Sequence, residues 1–213
     1  MFPQIPRITH LKELPVVLQE ENFPIISFDT SFVLKTLVDG LDYHKECVQF
    51  IEDLKTFQPI IIYSETLREE LWCANLIREI KDVYKIQHLN IRNFLKIYPA
   101  TPRAYHPKTV DINKKFDELL GNFKYRESIP LTSKITSEAL NLVHKYNLLG
   151  ADAIHVATML HNGFAEVKHI AAFDNDIEDI KDLTVWTVGG KKRFINNHFK
   201  EWGFKKKPAC PVN

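Results

Sequence analysis

Short apolar segments alternate with amphipathic helical segments along this chain, and that alternation limits the possible fold more than any other feature. Four segments predict buried strands, because each is a run of five or six mainly apolar residues: 25–29, 59–63, 169–174 and 183–188. No hairpin turn signal joins any two of them. The pattern predicts an α/β fold, a three-layer α/β/α sandwich with a central, mostly parallel sheet and a helical insertion.

The domain organisation follows from where this pattern begins and ends. Residues 25–188 are expected to form one domain, preceded by an N-terminal arm over 1–24 and followed by a basic C-terminal tail over 189–213. Within the domain, 81–134 is expected to be an extended helical and loop insertion. Prolines within 98–110 predict a break between two helical stretches of that insertion.

The charge of the chain is unevenly distributed, although its formal net value is only +1. Residues 191–207 carry seven basic side chains against one acidic side chain, and residues 99–126 carry six against three. The rest of the chain is therefore acidic. This distribution suits an acidic centre with basic flanks that hold a polyanion, and it equally suits an ordinary solvated surface with a lysine-rich tail.

The cysteines and the apolar runs exclude several classes of protein. Cys47, Cys73 and Cys210 are far apart and form no CxxC pair, so neither a disulfide framework nor a zinc site is supported. The N-terminus has no apolar signal region, and no apolar run approaches the ~20 residues of a membrane helix. We expect a cytoplasmic protein with reduced thiols and no membrane partner.

Acidic residues recur at predicted strand ends and helix starts. Asp29 ends the first predicted strand, Asp174 and Asp176 close the third, and Asp152 opens a helix. Because the carboxyl ends of parallel strands meet at one edge of a sheet, Asp29 and Asp174 should both lie there. Each acid also has an ordinary structural explanation, as a helix N-cap, a turn residue or a partner of a helix dipole.

Glu70 is distinguished by its helix phase. At ~100° per residue, it lies roughly 60° from Leu67, on the shoulder of the apolar stripe that Leu67 and Leu71 define. Glu65 and Glu69 fall on the opposite, solvent-facing side. A half-buried carboxylate needs a partner, which is either a metal ion or a salt bridge to a Lys or Arg elsewhere in the chain.

Clustered carboxylates require a compensating cation. Oxygen ligands without Cys or His favour Mg²⁺ or Mn²⁺ over Zn²⁺. His155 and His161 show no ligand spacing with a third partner, so we interpret them as packing or surface residues.

Four stretches of the chain resemble the PIN-domain family, especially its VapC-like ribonuclease branch. In sequence order they are IISFDTSFVL around Asp29, YSETLREELW around Glu70, LLGADAIHVATML around Asp152, and IAAFDNDIEDIKDLTVW around Asp174 and Asp176. Two features depart from the family pattern. Ala172 stands where the family often has Thr or Ser, and the segment between Glu70 and Asp152 is longer than in compact VapC-like toxins.

The resemblance implies a PIN-like sandwich and a Mg²⁺- or Mn²⁺-dependent endoribonuclease, a hydrolase that cuts RNA phosphodiester bonds. It implies a catalytic set of four acids, which are Asp29, Glu70, Asp152 and Asp174. It implies that these four bind the metal together with Asp176, supported by the hydroxyls of Thr30 and Ser31. It also implies RNA as a partner, a homodimer, and an antitoxin or inhibitor protein, as in toxin–antitoxin pairs.

A basic and aromatic segment offers candidate RNA contacts. Its basic members are Lys108, Lys114, Lys115, Lys124 and Arg126, interleaved with Tyr105, Phe116 and Tyr125. The basic side chains could contact phosphates while the rings stack on unpaired bases. A helical lid packed by its own aromatic residues explains the same pattern.

Two other functions remain open. The sequence FDTS directly after a strand resembles a motif of haloacid dehalogenase-like phosphatases. Their Asp-x-Asp motif, however, needs an acid where Ser31 stands. A non-catalytic PIN-like RNA-binding or scaffold protein is the other alternative. The acids present at all the matched positions argue against it.

Overall fold

The fold comes from a computed structural model, which describes residues 7–10, 25–84, 101–162, 169–173, 177, 180 and 183–188. For 7–10, 84 and 101–110 the description covers the backbone alone. The strands are β1 (Arg7–His10), β2 (Ile25–Phe28), β3 (Ile60–Ser64), β4 (Tyr125–Ile129), β5 (His169–Ala171) and β6 (Thr184–Thr187). The helices are α1 (Thr30–Leu37), α2 (His44–Lys55), α3 (Leu67–Tyr84), α4 (Thr101–Gly121), α5 (Ser133–Tyr146) and α6 (Gly150–Leu160).

The six strands form one sheet in the order β1-β6-β5-β2-β3-β4, and every pairing in it is parallel. The predicted α/β/α class is therefore confirmed, as are the four predicted strands. Two strands were not predicted. β1 lies within the predicted N-terminal arm, and β4 lies within the predicted insertion.

Helices cover both faces of the sheet, as the apolar strands require. One core lies between the sheet and helices α1 to α4, and its largest fully buried side chains are Phe28, Phe32, Phe50, Phe116, Phe123 and Trp186. The other core lies under α5 and α6 and includes Ile62, Leu142, Val156, Ile170 and Val185. None of the helices in the described part of the chain is long and apolar enough to cross a membrane.

Three local predictions differ from the structure. Residues 101–110 belong to α4, so the predicted proline break does not fall among them, and residues 98–100 lie outside the described part of the chain. Pro102 lies in the first turn, where a missing N–H costs no helical hydrogen bond. β4 escaped prediction because four of its five side chains are exposed, so that it lacks an apolar run. β5 ends at Ala171, three residues before the predicted end of that strand.

Candidate active site

Asp29 lies where β2 ends and α1 begins, and it serves both elements. Its N–H continues the sheet ladder by donating to the carbonyl oxygen of Ala171, 2.9 Å away. As N-cap of α1, its Oδ2 accepts from the N–H of Ser31 at 2.9 Å and also from the Ser31 hydroxyl. The side chain is buried, and its other oxygen, Oδ1, lies 4.0 Å from Nε2 of His155. One carboxylate therefore caps the helix and also presents an oxygen to the site.

Ser31 joins this corner to the chain that leaves β5. Its Oγ donates to Asp29 and accepts from the N–H of Phe173 at 3.1 Å. Asp174, the next residue, and Asp176 lie outside the described residues. The hydroxyl of Ser31 thus ties the first candidate acid to the segment that carries the last two.

Glu70 lies in the first turn of α3 and receives three hydrogen bonds from side chains. Oε2 accepts from Thr30 Oγ1 at 2.8 Å and from His155 Nε2 at 2.7 Å, and Oε1 accepts from Thr66 Oγ1 at 3.1 Å. Its side chain is 24% exposed, whereas Glu65 and Glu69 are exposed, as the helix phase predicts. The partner that the structure shows for this half-buried carboxylate is a histidine, where the sequence predicted a metal ion or a salt bridge to Lys or Arg.

The hydrogen bonds set the ionisation state of Glu70. Burial by itself would raise the pKa of this carboxyl, because the charged form loses hydration. The hydrogen bond and the charge of His155, with the hydrogen bonds from Thr30 and Thr66, outweigh burial and hold the pKa below its ordinary value. Glu70 is therefore ionised at neutral pH.

His155 is a member of the site that the sequence interpretation missed. It is 2% exposed, and its Nε2 lies between Glu70 and Asp29. Burial would lower the pKa of His155, but the hydrogen bond to Glu70 and the charges of Asp29, Glu70 and Asp152 raise it. Its position three residues after Asp152 on α6 places both on neighbouring parts of one helix face, which was the available signal.

Asp152 lies in the first turn of α6 and is buried, with 9% of its surface exposed. Its charge acts on His155, one turn along the same helix. Asp29, directly after β2, and Glu70, on α3, therefore approach one imidazole, which shares α6 with Asp152.

The donor chemistry of this cluster suits a hard cation. Among the described residues, no group of three or more His, Cys, Asp or Glu side chains is arranged to hold a metal ion. Within the same residues, Oδ1 of Asp29 and one lone pair of Glu70 Oε1 have no hydrogen-bond donor. Carboxylate oxygens are the ligands that Mg²⁺ and Mn²⁺ prefer.

Two of the predicted RNA-binding residues, Lys124 and Arg126, lie away from this edge of the sheet. Tyr125 pairs with Ile60 and Ile129 with Ser64, so the start of β4 lies about 13 Å from the carboxyl ends of the strands at roughly 3.3 Å per residue. Lys124 and Arg126 are therefore near the opposite edge. Arg126 donates there to carbonyl oxygens at the end of α4.

The remaining basic and aromatic residues have mixed surroundings. On α4, Lys114 pairs with Glu118 at 3.9 Å and Lys115 pairs with Asp111 at 3.3 Å. Phe116 is a core residue, whose ring meets that of Tyr63 edge-on. The remaining ring, Tyr125, is 48% exposed, with the ammonium of Lys124 over it at 4.9 Å. The side chains of Tyr105 and Lys108 lie outside the described part of the chain.

Comparisons with known proteins locate the chain in a family. A family model for the PIN domain matches residues 26–183. Among solved structures, a similar one is the crystal structure of Mycobacterium tuberculosis VapC20, described as a Sarcin-Ricin loop cleaving toxin. The match has 17% sequence identity, covers 71% of this chain and 91% of that chain, and has a TM-score of 0.44. A likeness at this level adds nothing to the family match. The comparison with curated proteins found no match.

Proposed function

The chain belongs to the PIN domain family, and on that premise we propose that it is a metal-dependent ribonuclease that hydrolyses RNA phosphodiester bonds. The observation that carries the proposal is the approach of Glu70 and Asp29 to His155, at 2.7 and 4.0 Å, with Asp152 three residues before His155 on α6. These acids come from three separate elements at the carboxyl edge of a parallel sheet, which is where α/β proteins place their ligands.

Five acids are proposed to hold Mg²⁺ or Mn²⁺, and they are Asp29, Glu70, Asp152, Asp174 and Asp176. When bound, such an ion lowers the pKa of a coordinated water and neutralises charge on the scissile phosphate. Part of this set is already held in place by hydroxyl groups, since Ser31 fixes one oxygen of Asp29 and Thr30 fixes one oxygen of Glu70. Such fixed ligands reduce the reorganisation needed when a metal binds.

The role of Glu70 follows from its ionisation. Its lowered pKa keeps the carboxylate charged at neutral pH, so Glu70 is a poor acceptor for a proton taken from water. Its Oε1 instead accepts a hydrogen bond from water or contacts the ion directly. Asp29, with Oδ2 held by Ser31, offers Oδ1 in the same way.

RNA is the proposed substrate, and the basic residues named above are proposed contacts for its phosphates. Lys114 and Lys115 are exposed on α4, where backbone phosphates could displace their acidic partners. The likeness of four motifs to VapC-like proteins extends the proposal to a homodimer and to an antitoxin or inhibitor protein. Growth arrest on expression, relieved by a protein that co-purifies with the chain, would support that narrower role.

Cleavage of a labelled single-stranded RNA pool tests the proposal. We expect cleavage by the wild type with Mg²⁺ or Mn²⁺ and none with EDTA, and we expect Asp29→Asn to abolish it. Glu52→Gln removes a charge from an exposed site on α2 and is the matched control. Absence of cleavage by the folded, metal-supplied wild type, across the whole pool, would leave RNA binding without catalysis as the better account.

A further inference from the structure

We propose that His155 is a positioning residue of the acidic site, which donates a hydrogen bond from Nε2 to Oε2 of Glu70. This bond holds the Glu70 carboxylate beside Asp29 and leaves only Oε1 to contact a metal ion or its water. The part of this inference that concerns metal rests on the proposed function. The part that concerns the hydrogen bond does not.

The geometry places His155 between two elements that are distant in sequence. Its Nε2 lies 2.7 Å from Oε2 of Glu70 on α3 and 4.0 Å from Oδ1 of Asp29 at the end of β2. The imidazole itself belongs to α6 and is 2% exposed. A side chain so enclosed cannot leave the site without local opening of the fold, so its contacts fix the separation of the three elements.

The direction of the hydrogen bond follows from the neighbours of Nε2. Glu70 and Asp29 present carboxylates, and an ionised carboxylate accepts hydrogen bonds and has none to give. The Thr30 hydroxyl, 3.5 Å from Nε2, gives its proton to Glu70. Nε2 therefore carries the hydrogen and donates it to Glu70.

A count of acceptor positions gives the consequence for Glu70. Each carboxylate oxygen has two lone pairs. Thr30 and His155 occupy both lone pairs of Oε2, and Thr66 occupies one of Oε1. Among the described residues one acceptor position then remains, so Glu70 would offer an ion a single contact, through Oε1, rather than both oxygens.

The test compares two substitutions of His155 in the full chain. His155→Gln keeps an N–H donor near the place of Nε2, whereas His155→Leu keeps a similar volume without any donor. The first readout is the dissociation constant for Mn²⁺, measured by electron paramagnetic resonance. We expect His155→Leu to raise it about 10- to 100-fold, which is the usual effect of losing a group that orients a metal ligand, and we expect His155→Gln to recover most of the loss.

The second readout is thermal unfolding in EDTA, which needs neither metal binding nor activity. We expect His155→Leu to lower the melting temperature, and we expect Glu70→Gln to shift it less in the Leu variant than in the wild type. Such non-additivity is the mark of two side chains that interact directly.

The outcomes separate this inference from the proposed function. Equal Mn²⁺ affinity in wild type and His155→Leu, or equal loss in the Gln and Leu variants, would mean that His155 only fills space, and would overturn the inference. If the wild type neither binds Mn²⁺ nor cuts RNA, the proposed function fails and unfolding in EDTA decides. Additive shifts would then overturn the positioning role, and coupled shifts would support it.

Discussion

The substitution Ser31→Ala tests how the site is tied to the sheet. The hydroxyl makes two bonds, donating to Asp29 Oδ2 and accepting from the N–H of Phe173 at 3.1 Å. Alanine removes both bonds and changes nothing in the backbone. Asp29 keeps the bond from the N–H of residue 31, so α1 keeps its N-cap. The main loss is the link between α1 and the segment after β5.

The magnitude follows from the two hydrogen bonds that are lost. Losing the hydrogen bonds of the hydroxyl to a half-buried N–H and to a charged acceptor lowers the free energy of unfolding by about 1–2 kcal/mol in total. For a domain of this size, each kcal/mol shifts the melting temperature by roughly 2–4 °C. We therefore expect Ser31→Ala to unfold about 2–8 °C below the wild type. RNA cleavage should fall by up to about 100-fold, because small displacements of catalytic groups are costly.

The assay is calorimetry of the metal-free protein, followed by single-turnover cleavage of the same preparations. Ser137→Ala, at an exposed position on α5, controls for the serine-to-alanine change itself. A melting temperature and a cleavage rate for Ser31→Ala equal to those of this control would refute the reasoning, since the hydroxyl would then contribute to neither the fold nor the site.

Three further predictions concern ionisation and packing. In EDTA, the stability that the Glu70–His155 pair contributes should be greatest between pH 4.5 and 6.5, the ordinary pKa values of these two groups. Because the pKa of Glu70 is lowered, its ionised form stabilises the folded state above pH 4.5, and this contribution is lost as the pH falls. Because the pKa of His155 is raised, its protonated form stabilises the folded state below pH 6.5, and this contribution is lost as the pH rises. The free energy of urea unfolding should therefore depend less on pH in Glu70→Gln than in the wild type. Burial raises the pKa of Cys47 to about 12, so a disulfide reagent should label Cys73 and leave Cys47 unlabelled until unfolding. Phe50→Ala should cost about 3–5 kcal/mol in urea unfolding, and a cost below 1 kcal/mol would contradict its place in the core.

Local periodicity was enough to predict the parts of the site that a single element determines. The phase of α3 alone separates Glu70 from Glu69, because a helix has one period and one apolar stripe, whereas Glu65 lies in the turn before α3. Asp29 was harder, since helix capping explained its position, taken alone, better than site membership did. The structure shows that the two are compatible, because each carboxylate oxygen does one of them.

The missed features depend on contacts between distant parts of the chain. His155 is ordinary in its own helix and becomes a site residue only because α3 and β2 bring Glu70 and Asp29 to it. β4 is an edge strand whose pairing with β3 is specified by backbone hydrogen bonds rather than by an apolar pattern. The roles of Asp174 and Asp176 stay predictions from the sequence motif.

Analysis of the RNA ends that cleavage produces tests the central claim most directly. If carboxylates and metal direct water at the phosphate, the wild type must leave linear phosphate and hydroxyl ends in Mg²⁺ or Mn²⁺. Neither EDTA-treated enzyme nor Asp29→Asn should then produce them. Ends with a 2′,3′-cyclic phosphate, formed equally in EDTA and by Asp29→Asn, would mean that the 2′-hydroxyl is the nucleophile and that the acidic cluster does not perform the reaction.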